Sequence, residues 1–111
     1  MATKQSTIDL LTDQISTAGN IRYKKMFGEY ALYCDEKVVA FVCDDQLFVK
    51  PTETGKKFIG EVVEAPAYPG SKIYYLITGD FWDDSEYMTE LIKVTAAKLP
   101  LPKPKNEKII K

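Results

Sequence analysis

The chain has 111 residues, of which 45% are apolar and 28% are charged, and its formal net charge is −1. This length fits one domain with one hydrophobic core. The sequence contains no histidine, which excludes imidazole acid–base catalysis, the Ser-His-Asp triad and the common zinc ligand sets. No apolar run reaches the length of a membrane span and the first residues lack a signal-peptide pattern, so we expect a soluble, cytoplasmic protein.

Apolar residues at helical spacing predict a first helix from about residue 7 to residue 18. Ser6 or Thr7 is expected to cap this helix, and Gly19 is placed to end it.

Between residues 21 and 50, short runs of β-branched and aromatic residues are separated by polar breaks, which predicts three or four antiparallel strands in a meander. We expect a three-residue loop at 35–37 and a two-residue loop at 44–45. This register divides the strand residues between two largely apolar faces. One face comprises Tyr30, Leu32, Cys34, Val38, Ala40, Val42, Leu47 and Val49; the other comprises Ala31, Tyr33, Val39, Phe41, Cys43, Gln46, Phe48 and Lys50.

The segment after the meander predicts a second helix, a loop and a further strand. Pro51 or Thr52 starts the helix, which ends near Gly60. Two prolines and a glycine place residues 65–70 in a loop, and residues 72–77 are typical of a strand.

A third helix, capped by one of residues 83–85, is predicted to run to about residue 98, since Pro100 cannot continue it. We assign residues 1–99 to one domain and residues 100–111 to an extended, mobile tail rich in proline and lysine.

These elements predict an α+β fold of two layers, with a five-stranded antiparallel sheet and helices on one of its faces, in the order α-β-β-β(-β)-α-β-α. Three short helices cover one face of such a sheet well. The second apolar face is therefore expected to meet a partner or a second copy. The alternative is that the loop in the 60s covers it within the same chain.

The two cysteines are too few for a disulfide scaffold. We interpret Cys34 and Cys43 as reduced thiols that pack as small apolar groups. A reactive thiol would need a nearby cation, for which Lys37 is the candidate. Acidic residues in turns and helix caps have an ordinary structural explanation, so no metal and no cofactor are expected.

Basic and aromatic residues interleave in the first strand, whose basic residues are Arg22, Lys24 and Lys25. With Tyr33 and Lys50 they are typical of a surface that stacks single-stranded bases. Arg22 is the only arginine among 15 basic residues, which disfavours sequence-specific recognition of duplex DNA.

A small enzyme is a further alternative. It would have to use Lys25, Tyr30 and Tyr33, which are the clustered candidates in a chain without histidine.

Residues 25–34, KMFGEYALYC, together with the strands at 39–42 and 44–50, resemble the N-terminal domain of the TfoX/Sxy family. The resemblance covers about residues 7 to 98, and Glu29 stands where the family usually has a second glycine. It implies a two-layer fold similar to secretion chaperones, frequent dimerisation and no catalytic residues. It also implies a link to natural competence, since full-length members are transcription co-regulators with a further C-terminal domain that we do not expect here.

We therefore predict a non-enzymatic regulatory interaction module that binds a protein partner, forms a homodimer and does not contact membranes. The alternative is a protein that binds single-stranded nucleic acid or RNA. The candidate interaction surface comprises Arg22, Lys24, Lys25, Met26, Phe27, Gly28, Tyr33, Phe41, Phe48 and Lys50.

Overall fold

Three α-helices, one 3-10 turn and six strands make up residues 3–26 and 29–99, which are the residues that the computed structural model describes. In chain order they are α1 (Gln5–Gln14), β1 (Ile21–Met26), β2 (Glu29–Cys34), β3 (Lys37–Cys43), β4 (Gln46–Val49), α2 (Glu53–Ile59), β5 (Val63–Pro66), β6 (Ile73–Ile77), the 3-10 turn (Gly79–Phe81) and α3 (Ser85–Lys98). Phe27, Gly28 and the predicted tail at 100–111 lie outside the described residues.

The strands form one antiparallel sheet in the order β1-β2-β3-β4-β6-β5, so the predicted α+β class is confirmed. The sheet has six strands rather than five, because Ala65 and Pro66 belong to β5 and not to a loop. Strand β5 pairs only with β6 and forms an edge of the sheet. A proline is tolerated there because an edge strand has one side without a hydrogen-bonded neighbour.

The β3–β4 connection has the predicted register, with Ala40 opposite Val49. The β2–β3 connection is different, because it has two residues, Asp35 and Glu36, rather than three. Both residues have positive φ, at 52° and 70°, which is typical of the tight turns that match strand twist.

A β-bulge follows from this tighter turn. Tyr33 pairs with Val38 and Leu32 with Ala40, which leaves Val39 as the extra residue. Val39 joins the core under the helices, whereas Val38 shares the side of Tyr33. The predicted faces of these two valines were therefore exchanged.

All three helices pack on one side of the sheet, around a single core. Each large side chain buried there contributes about 1.5–3 kcal/mol. The core includes Ile8 and Leu11 of α1, Met88, Leu91 and Ile92 of α3, and Leu32, Val39, Val42, Leu47 and Val49 of the sheet, with Phe58 and Ile59 of α2 packed against it.

The predicted caps of α2 and α3 are confirmed. Thr52 accepts a hydrogen bond from the Gly55 N–H at 2.9 Å, and Asp84 accepts one from the Tyr87 N–H at 3.0 Å. Helix α3 also ends at Lys98, as predicted.

Helix α1 begins and ends earlier than predicted, at Gln5 and Gln14, and neither Ser6 nor Thr7 is its N-cap. The N-cap is Lys4, and a carboxylate from the β3–β4 turn holds this segment: Asp45 Oδ1 accepts from the Lys4 N–H at 2.9 Å and from Thr7 Oγ1 at 2.8 Å. A negative charge at this end also interacts favourably with the helix dipole.

Glu29 reinforces this junction. Its Oε1 accepts hydrogen bonds from Thr3 Oγ1 at 2.5 Å and from the Asp44 N–H at 3.0 Å. The residue that departs from the TfoX/Sxy motif thus ties the N-terminal segment to the β3–β4 turn.

None of the helices described is long and apolar enough to cross a bilayer.

Candidate interaction surface and basic cleft

The side of the sheet that faces away from the helices is called the outer face below. It carries Ala31, Tyr33, Val38, Phe41, Cys43, Phe48, Tyr74 and Leu76. Within residues 3–26 and 29–99, no helix packs on this face.

Part of the outer face is covered by its own chain. Ala65 of β5 and Ala67 just beyond it pack with Phe48 and Tyr74, and Phe48 is only 3% exposed. Phe48 was predicted as an interaction residue, but its ring is enclosed by these neighbours. Tyr33 and Phe41 remain half-buried, so the open part of the face lies over β2 and β3.

The open part is bordered by two basic residues of β1. Arg22 lies opposite Tyr33 and holds its guanidinium carbon 5.6 Å from the centre of the tyrosine ring. The same guanidinium is 2.7 Å from Glu36 in an exposed ion pair. Lys24 lies opposite Ala31 and is exposed.

Lys25 lies on the other side of the sheet, opposite Tyr30, whose ring belongs to the core under the helices. The Tyr30 hydroxyl donates a hydrogen bond to Gln5 Oε1 at 3.1 Å. The structure therefore does not bring Lys25 and Tyr30 together with Tyr33, and the cluster that an enzyme would have needed is divided between two faces. Phe27, Gly28 and the side chain of Met26 lie outside what is described.

Lys50 contributes to a cleft at the other end of the sheet. The cleft has a volume of about 550 Å³ and is lined by Lys50, Pro51, Tyr68, Gly70, Ser71, Lys72, Ile73, Tyr74 and Leu99. Both charged residues in this lining are lysines. Burial, and then the nearby charge of Lys72, lower the pKa of Lys50.

One wall of the cleft is a tight turn from Tyr68 to Ser71. The Ser71 N–H donates to the Tyr68 carbonyl at 2.9 Å, and Gly70 has a φ of 87°. Proline followed by glycine at positive φ is the signature of a type II turn, so Pro69 and Gly70 fix this wall. Ser71 Oγ adds a bond from the Ala67 N–H at 2.9 Å.

The sequence alone did not identify Lys72, Tyr68 or Tyr74 as neighbours of Lys50. The information needed to identify them is the pairing of Phe48 with Leu76 across β4 and β6, which places Lys50 beside Tyr74. Without that register, positions 18 to 24 residues apart show no relation.

The two thiols lie on opposite sides of the sheet and both are buried. Burial is the main cause that raises the pKa of Cys43 to about 11, and it also raises the pKa of Cys34. Lys37 opposes the shift at Cys34 only weakly, and its ammonium group donates to the Ala96 carbonyl at 2.8 Å. Both cysteines are therefore protonated at neutral pH and unsuited to nucleophilic chemistry.

Two of the acidic residues have structural roles: Asp45 holds the segment at the start of α1 and Asp84 caps α3. In the part of the chain that is described, no three acidic or cysteine side chains come together as a possible metal site.

Comparison with known proteins gives two findings. The model of the TfoX N-terminal domain matches residues 13–99. A protein of Spirochaeta aurantia, described as "Uncharacterized 12.7 kDa protein in trpE 5'region", is 42% identical over 108 residues, which are 97% of this chain and 93% of that protein. Because the family model covers most of the chain, the protein belongs to the TfoX N-terminal domain family.

Proposed function

We propose that this protein is a non-enzymatic regulatory module, of the kind found in TfoX competence and transcription co-regulators, that self-associates through the outer face of its sheet. Membership of the family supports the regulatory class. The observation that carries the mode of action is the outer face itself, where Tyr33 and Phe41 are half-buried without a helix from the described chain above them. An apolar face of this kind favours contact with another protein surface.

The size of the face limits the strength of the association. Six strands about 4.8 Å apart and five or six residues long make a face of about 24 Å by 18 Å, on the order of 400 Å² in projection. Stable interfaces bury about 800 Å² on each partner. Since part of the face is already covered by Ala65 and Ala67, we expect a reversible dimer whose population depends on protein concentration.

The test is analytical ultracentrifugation from micromolar to millimolar concentration, on the unmodified protein and on Tyr33→Glu. A glutamate at this position lies beside Arg22 and stays hydrated in the monomer, whereas a dimer that joins the two outer faces would have to bury its charge against an apolar surface. We expect the dissociation constant of the dimer to rise at least tenfold.

The matched control is Leu10→Glu, which adds the same charge to an apolar residue of α1 that is 41% exposed and lies away from the outer face. It should leave the dimer unchanged, and circular dichroism should show that both variants are folded. A protein that stays monomeric at millimolar concentration, or equal loss in both variants, would overturn the proposal.

A second candidate function has one observation in its favour. Arg22 and Lys24 share the outer face with Tyr33, and the guanidinium of Arg22 lies over the tyrosine ring, an arrangement suited to stacked bases and phosphates. Titration of labelled single-stranded DNA and RNA at low and physiological salt tests it. Binding through this face predicts that Lys24→Ala weakens the complex and that Lys25→Ala, on the other side of the sheet, does not.

A further inference from the structure

The cleft lined by Lys50 and Lys72 is separate from the open part of the outer face. That open part lies over β2 and β3, whereas the cleft lies beyond β4, at the start of β6 and beside the end of α3. Three properties of its lining distinguish the cleft: its charge, its rigidity and its aromatic walls.

The charge of the lining is opposite to that of the whole chain. The formal net charge of the protein is −1, yet the described residues that line the cleft include two lysines and no acidic residue. Among the described residues, neither lysine has a carboxylate within ion-pair distance, because the ion pair found there joins Arg22 and Glu36. Two like charges in one half-enclosed cleft repel, and an anion between them would relieve that repulsion.

The wall that carries Lys72 is already ordered. Gly70 has the positive φ that the turn requires, and Ser71 closes the turn through both its N–H and its Oγ. A ligand therefore loses little affinity to ordering the loop on which one of the two lysines lies.

The remaining walls are aromatic and apolar. Tyr68 is 56% exposed and Ile73 47% exposed, and Tyr74 lines the interior. Exposed apolar surface beside the two lysines provides a flat contact for a ring that carries an anionic group. The volume of about 550 Å³ lies within the range of small-molecule sites.

We propose that this cleft binds a small phosphate monoester attached to a flat ring, with Lys50 and Lys72 holding the phosphate and Tyr68 contacting the ring. Lysine ammonium groups bind phosphate as point charges. Two of them therefore bind a phosphate dianion better than they bind a ligand with a single carboxylate. The lowered pKa of Lys50 agrees with this assignment, since a bound anion would reverse the shift.

The test is a titration of the ¹⁵N-labelled 111-residue chain followed by NMR, with phenyl phosphate, inorganic phosphate, benzoate and phenol as separate probes. Phenyl phosphate should bind saturably and shift the amide signals of Gly70, Ser71 and Lys72, while the amides of Arg22 and Lys24 stay in place. Inorganic phosphate and benzoate should bind more weakly and phenol should not bind, because each lacks part of the proposed ligand.

Lys50→Gln and Lys72→Gln should each weaken phenyl phosphate about tenfold, the usual effect of one charge-assisted hydrogen bond. The matched control is Lys25→Gln on β1, at the far edge of the sheet, which removes the same charge and should leave the affinity unchanged.

Three results would overturn the proposal. They are no saturable binding of phenyl phosphate at low salt, equal affinity in the Lys50 and control variants, and signal changes confined to β1 and β2. Since the dimerisation test uses Tyr33→Glu on another part of the molecule, either proposal can fail without the other.

Discussion

Thr95 of α3 offers a sharp test of how the core is built, because its hydroxyl is buried and unpaired. Its side chain is 0% exposed, and no hydrogen-bond partner for Oγ1 exists among the described residues. A Cβ added at Gly55 of α2 would lie 3.5 Å from this oxygen, an ordinary contact distance. The hydroxyl thus lies on the side of Gly55, which has no side chain, and the methyl group that replaces it in Thr95→Val is of similar size.

The expected gain in stability comes from removing a buried hydroxyl that has no hydrogen-bond partner. A buried hydroxyl without a partner costs about 1–3 kcal/mol, and the new methyl group adds about 0.8 kcal/mol of hydrocarbon burial. Threonine and valine have nearly equal helix propensities. After allowance for imperfect packing, we expect the free energy of unfolding to rise by about 1–2 kcal/mol, which at this chain length raises Tm by about 4–8 °C.

Urea unfolding and differential scanning calorimetry measure the effect, with Thr89→Val as the matched control. Thr89 lies on the same helix, but its Oγ1 donates to the Gln14 carbonyl at 3.0 Å. Its replacement should lower the free energy of unfolding by about 1 kcal/mol. The reasoning is refuted if Thr95→Val destabilises the protein as Thr89→Val does, since both hydroxyls would then be bonded.

Two further predictions concern helix ends. Hydrogen bonds from the Lys4 N–H and from Thr7 lower the pKa of Asp45 below the ordinary value of 3.8. The stability that this carboxylate provides is therefore present above pH 3.8, and it is lost as the pH falls through the lower pKa of the folded state. Urea unfolding between pH 6 and pH 2.5 should show a smaller loss in Asp45→Asn than in the unmodified protein, and identical pH profiles would contradict the assignment. At the start of α2, a Cβ on Gly55 would lie 2.8 Å from Thr52 Oγ1. Gly55→Ala should therefore lower the free energy of unfolding by about 1 kcal/mol more when Thr52 is present than in a Thr52→Ala background. Additive effects of the two substitutions in this double-mutant cycle would show that the cap tolerates the methyl group.

Local sequence patterns were sufficient to predict those features of the fold that depend on residues close together in the chain. The caps Thr52 and Asp84 were among the predicted candidates, Pro51 or Thr52 and residues 83–85, because a side-chain oxygen that bonds an N–H three residues later is a local interaction. The β3–β4 register was predicted because Asp44 and Asp45 form a two-residue turn between strands that alternate regularly.

The start of α1 could not be predicted in the same way. The carboxylate of Asp45 accepts the N–H of the N-cap residue Lys4, which lies 41 residues away in the sequence, and only the packing of the β3–β4 turn against the N-terminal segment brings the two together.

The same distinction between local pattern and long-range packing applies to the candidate interaction surface. The sequence alone determined that the protein has an α+β fold, two largely apolar sheet faces and the TfoX/Sxy motif, because these depend on residue periodicity and on contiguous residues. The tertiary structure decided that Lys25 lies on the opposite side from Lys24 and that β5 encloses Phe48.

The structure also decided that Lys50 and Lys72 share a cleft. Such positions depend on strand register and on long-range pairing, which are set by the free energy of burying the whole sheet at once and not by any short segment.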